Sequence, residues 1–84
     1  MGKLEFYREK IDDNDKNIVK LLSLRFRLVN QIANYKRINK IKIVDKKRET
    51  RVIKNIKKYS NKKYQKFLKE IFGDIINYSK KIQK

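Results

Sequence analysis

Eight polar residues stand where helical periodicity would place apolar ones: Arg8, Arg25, Lys36, Asp45, Arg48, Glu49, Ser79 and Gln83. Three of them are arginines, half of the six in a chain that carries 19 lysines. Arginine is kept where a planar, two-pronged donor must meet a carboxylate, because a lysine ammonium cannot offer that fork. A charge taken from water without a partner costs several kcal/mol. Cations aimed inward therefore ask for an anionic guest. The chemistry open to them is narrow. Histidine and cysteine are both absent, which removes the usual general base at neutral pH, the thiolate nucleophile and the common zinc ligands. Any reaction must run on guanidinium, ammonium, carboxylate, amide and hydroxyl groups, and neither a metal nor a cofactor is expected.

Each residue alone has an ordinary explanation. A long cation can carry its charge out to water, Arg48 can pair with Asp45 or Glu49 at helical spacing, and Ser79 and Gln83 can cap or solvate a helix end. The set is harder to dismiss, because every helix carries its interruption on its apolar face.

The elements that must position these groups are helices. Proline is absent and glycine occurs only at Gly2 and Gly73, so few signals break regular structure. Steps of four and three residues pick out Leu4, Arg8, Ile11, Asp15, Ile18, Leu22, Arg25, Val29, Ile32 and Lys36, a sustained stripe that predicts one helix over residues 4–36. At about 1.5 Å per residue it spans roughly 50 Å, more than the diameter of a globule of this size. Asn39 is expected as its left-handed stop, followed by a short connection over 38–44. Asp45 reads as the N-cap of a second helix of about fourteen residues whose buried face is Val52, Ile53 and Ile56. Ser60-Asn61 can cap a third helix over 62–83, striped by Tyr64, Phe67, Leu68, Ile71, Phe72, Ile75, Ile76, Ser79 and Ile82. Gly73 should weaken that helix somewhat. The prediction is one all-α domain over residues 1–84, with one very long N-terminal helix and two shorter ones.

Arg25 and Lys36 are eleven residues apart, roughly 16 Å along a helix axis, so two long side chains can bracket a small ligand between them. Arg8 lies seventeen residues before Arg25, roughly 25 Å away and too far for the same pocket. Two copies of the long helix paired antiparallel about residue 20 would bring residue 8 of one near residue 32 of the other, between Arg25 and Lys36. An intertwined homodimer would then build two identical sites, each borrowing Arg8 from the partner.

The net charge of +16 by itself suggests a polyanion partner. The lysines are spread along the whole chain, however, as a solvated surface would have them, and neither nucleic acid nor membrane is the expected partner. The N-terminus lacks an apolar signal region, Phe6 stands where a myristoylation site would need Ser or Thr, and no apolar stretch reaches membrane-spanning length. A cytoplasmic location is expected.

The residues singled out also carry a resemblance. The opening Leu-Glu-Phe-Tyr-Arg8-Glu-Lys-Ile-Asp-Asp-Asn-Asp, the middle Ile-Val-Lys-Leu-Leu-Ser-Leu-Arg25-Phe-Arg-Leu-Val and the end Ile-Ala-Asn-Tyr-Lys36 resemble the first helix of the all-α chorismate mutases, the AroQ class. Asp45-Lys-Lys-Arg48-Glu49 is similar to the second-helix motif of that family, and Ile-Phe-Gly-Asp-Ile-Ile-Asn-Tyr-Ser79-Lys-Lys-Ile-Gln83 to the third. No single motif is specific, whereas eight correctly spaced polar positions on three helices are. Two departures, Lys46 where the family usually has proline and Gly73 in the third helix, bear on helix stability rather than on the pocket. The resemblance implies a Claisen rearrangement of chorismate to prephenate in phenylalanine and tyrosine biosynthesis, without a cofactor. It implies that Arg25 and the partner's Arg8 bind the substrate carboxylates, and that Lys36 and Gln83 donate to the ether oxygen. Glu49 and the backbone near Asp45 would orient the hydroxyl, with Arg48 and Ser79 supporting the polar shell. Lys36, Gln83 and Arg25 are thus the expected catalytic groups. Related helical proteins act as isochorismate-pyruvate lyases; keeping both Asp45 and Glu49 leans toward the mutase. A non-enzymatic basic helical protein that binds nucleic acid is the other alternative.

Overall fold

A computed structural model describes residues 2–84, and among them every regular element is helical. Helix α1 runs over Lys3–Ile38, α2 over Lys46–Tyr59 and α3 over Gln65–Gln83, the last entered through a single 3₁₀ turn at Lys62–Tyr64. The predicted order and lengths hold to within a few residues.

Helix α1 has 36 residues, which at about 1.5 Å each come to about 54 Å, nearly the full 57 Å of the longest molecular axis. A compact chain of this length would have a radius of gyration of about 12 Å; here it is 16.2 Å. The excess comes from the first half of α1, where every residue from Gly2 to Leu21 is exposed. Only the second half packs with the rest. There α3 lies against both α1 and α2, and the buried apolar core has one residue from each helix: Val29, Val52 and Ile75.

The left-handed residue ending α1 is Lys40, with φ 54°, and not Asn39, which sits one place earlier at φ −96°. The reason lies in how the last carbonyls are satisfied. The Asn39 side-chain amide donates to the Tyr35 carbonyl at 2.8 Å, holding Asn39 on the helix. The Ile41 N–H then reaches back to the Lys36 carbonyl at 2.8 Å and the Lys40 N–H to that of Arg37 at 3.4 Å. This nested pair closes around the residue after Asn39.

Asp45 caps α2 as predicted, its carboxylate accepting from the Arg48 backbone N–H at 3.0 Å. Asn61 accepts from the Lys63 N–H at 3.1 Å, so it caps the 3₁₀ turn rather than α3 itself. Gly73 lies inside α3 with nothing within 4 Å of where a Cβ would stand. No neighbour requires a glycine there.

Candidate functional site

A cavity of about 430 Å³ opens between the second half of α1, the connection before α2, the first turns of α2 and the last turns of α3. Its size falls within the roughly 300–1,000 Å³ of small-molecule sites. Leu28, Val29, Ile32, Ile43, Val52 and Ile76 form an apolar lining, into which Arg25, Lys36, Asp45, Arg48, Glu49 and Ser79 bring polar groups. Six of the eight residues singled out from the sequence therefore meet around one cavity, although they span 54 positions of the chain.

Arg25 is the most constrained of them. Its Nη1 donates to the Ser79 Oγ at 2.6 Å, and that hydroxyl donates onward to the Ile75 carbonyl at 2.8 Å. Ser79 is 7% exposed, the one buried polar side chain among the described residues. A serine using donor and acceptor together fixes one prong of the guanidinium and leaves other N–H groups for a ligand. Burial pushes Arg25 below the ordinary guanidinium value, and the neighbouring Arg48 cation pushes it in the same direction. Guanidinium nevertheless stays charged in proteins. An arriving carboxylate would relieve both penalties at once.

Lys36, also half-buried, donates from Nζ to the Ile43 carbonyl at 2.9 Å. That bond ties α1 to the connection and stations the ammonium at the rim. Asp45 spends one oxygen on the start of α2. Arg48 pairs with neither Asp45 nor Glu49 among the described residues; the partner of Glu49 is Lys80 of α3, at 3.3 Å. Lys80 lines the cavity too, and the sequence reading missed it. It follows Ile76 by four residues, beside the apolar stripe, where a lysine in so lysine-rich a chain carries no signal of its own.

Two of the eight lie outside the lining. Gln83 follows Ser79 by one turn and is half-buried. Its Nε2 donates back to the Ser79 carbonyl at 3.3 Å, while its Oε1 is buried with no partner among the described residues. Arg8 lies far along α1, exposed and paired with Glu5 at 2.9 Å. It does not reach the cavity of its own chain.

Fold and site together define an all-helical protein with an open, cation-rich pocket. The pattern of the chorismate mutase type II family matches residues 7–84, and the chain belongs to that family. The match spans all eight polar positions. Among curated proteins and among solved structures, nothing matches the chain.

Proposed function

We propose that this protein is a chorismate mutase, converting chorismate to prephenate, and that it works as a homodimer. Support comes first from one observation: a half-buried arginine seated on a buried serine, in a cavity that also gathers Lys36, Arg48 and two carboxylates. Chorismate is a doubly negative acid with an ether link and a ring hydroxyl. Its rearrangement breaks the ether C–O bond as a new C–C bond forms, within one molecule and with no proton or nucleophile supplied from outside. A protein without His or Cys has all that such a step requires. It must hold the flexible side chain over the ring and stabilise negative charge growing on the ether oxygen.

In this reading Arg25 forks one carboxylate, its position set by Ser79. The Lys36 ammonium, one proton of which is held by the Ile43 carbonyl, offers its others to the ether oxygen and a carboxylate. Gln83 turns its amide from the Ser79 carbonyl to become the second ether donor. Glu49 and the backbone near Asp45 accept from the ring hydroxyl. A millionfold acceleration needs about 8 kcal/mol, and each preorganised donor is worth about 2.7–4 kcal/mol. Two such donors plus conformational restriction are enough.

The second carboxylate falls to Arg8 of the partner subunit. The chain exposes 7642 Å², against roughly 5,400 Å² expected for a compact protein of its mass. The surplus of roughly 2,200 Å² per chain is what an obligate dimer hides. Leu4, Ile11, Ile18 and Leu21, all exposed on α1, supply its apolar part.

The test is chorismate consumption by the purified protein, followed in the ultraviolet, with prephenate and pyruvate measured separately. Lys36→Ala and Gln83→Ala should each cut turnover about a hundredfold or more while the helical content stays. Unchanged turnover in both would remove the site assignment. Pyruvate without prephenate would point to the lyase, and inactivity with salt-sensitive DNA or RNA binding to the basic binding protein.

A further inference from the structure

Lys80 belongs to the cavity wall, yet neither the apolar stripes nor the family motifs single it out. Its Nζ lies 3.3 Å from Glu49 Oε1, joining α3 to α2, and the two side chains are 27% and 25% exposed. A pair so placed is less screened than one on open surface. We propose that Lys80 is a positioning residue for the rearrangement: its ammonium holds the Glu49 carboxylate in the wall and cancels its charge, so that a doubly negative substrate is not repelled. The inference rests on the chorismate mutase reading.

Two features of the geometry carry it. The pair uses Oε1 of Glu49 and leaves Oε2 to accept from a substrate hydroxyl, so the interaction that restrains Glu49 need not compete with its work. Charge points the same way. The wall holds four cations, Arg25, Lys36, Arg48 and Lys80, and two carboxylates, Asp45 and Glu49. Four less two leaves +2, equal and opposite to the substrate. Without Lys80 the wall would carry +1, and a half-buried carboxylate without its cation would face the carboxylates of the guest, a like-charge arrangement that weakens binding.

The experiment measures kcat, KM and thermal midpoint for Lys80→Met and Lys80→Arg, each in the natural chain and in a Glu49→Gln background. Lys80→Met is expected to raise KM about tenfold or more with a smaller loss in kcat, and Lys80→Arg to restore KM to within about threefold. In the Glu49→Gln background, where no carboxylate remains to be neutralised, the Lys80→Met step should shrink to under about twofold. Should Lys80→Met fail to fold, Lys80→Gln makes the same comparison. A lowered melting temperature with unchanged KM would make Lys80 a structural tie and overturn the proposal. So would an equal rise in KM in both backgrounds, since Lys80 would then act on the substrate directly. Absence of turnover in the natural chain would sink the functional reading and this proposal together, whereas an active natural chain indifferent to Lys80→Met sinks the proposal alone.

Discussion

Arg25 is part-buried beside the Arg48 cation, both of which push its pKa below the ordinary guanidinium value, and its bond to Ser79 is to a neutral group. Sites that bind charged ligands often give up stability in this way. Arg48→Gln is therefore expected to stabilise the free protein, by no more than about 1 kcal/mol because the Arg48 side chain faces solvent. The same change should lower kcat/KM for chorismate. Thermal unfolding and steady-state kinetics on one preparation check both signs. Arg25→Lys keeps the charge and loses the fork, and should cost at least about tenfold in kcat/KM. These residues were legible beforehand because a charge on an apolar stripe contradicts the stripe. Arg25 and Ser79 were each recognised as facing inward, although no local rule could say that they touch across 54 positions. Lys80 was not legible. On a helix ending Ser-Lys-Lys-Ile-Gln-Lys, a lysine beside the stripe reads as solvated, and only the approach of α2 turns it into the partner of Glu49.

Helix boundaries were legible where a side chain and the backbone it serves are neighbours. Asp45 and the Arg48 N–H are three residues apart, so the cap follows from local chemistry. The end of α1 was displaced by one residue, because Asn39 favours a left-handed conformation but bonds Tyr35 instead and passes that conformation to Lys40. An L-residue held there pays roughly 1–2 kcal/mol that glycine does not. Gly73 is the converse: a glycine inside a helix, with space for a Cβ and no positive φ to require it. Exchanging the two should help at both ends. Lys40→Gly is expected to gain up to about 1 kcal/mol, after allowing for the greater freedom glycine adds to the unfolded chain. Gly73→Ala should gain about 0.5–1 kcal/mol. For a domain of this size each kcal/mol moves the thermal midpoint by about 4–8 °C. Calorimetry of the single and double variants tests this, with turnover as the control that the pocket is intact.

Taken as a whole, the chain is longer and more exposed than a compact domain of its size, and the proposed homodimer would account for that. It has a three-residue buried apolar core and a 36-residue helix whose first half is exposed throughout. The length of α1 was legible from its stripe; how two copies would pair was not, because the periodicity of one helix does not fix the register of two. Charge does not set the register either: in the first half of α1, Glu5, Glu9, Asp12, Asp13 and Asp15 are balanced by Lys3, Arg8, Lys10, Lys16 and Lys20, while residues 46–69 carry a dense run of lysine and arginine. Folding linked to association requires a thermal midpoint that rises with protein concentration. A shared site requires more. Arg8→Ala and Arg25→Ala should each be nearly inactive as pure dimers. Mixed, unfolded and refolded together, they form hybrids in which one site receives Arg25 from one chain and Arg8 from the other, while the second site lacks both. With random pairing half the dimers are hybrids and half their sites are whole, so the mixture should recover about a quarter of natural activity. A mixture no more active than its components would mean that Arg8 serves no site across the two-fold axis.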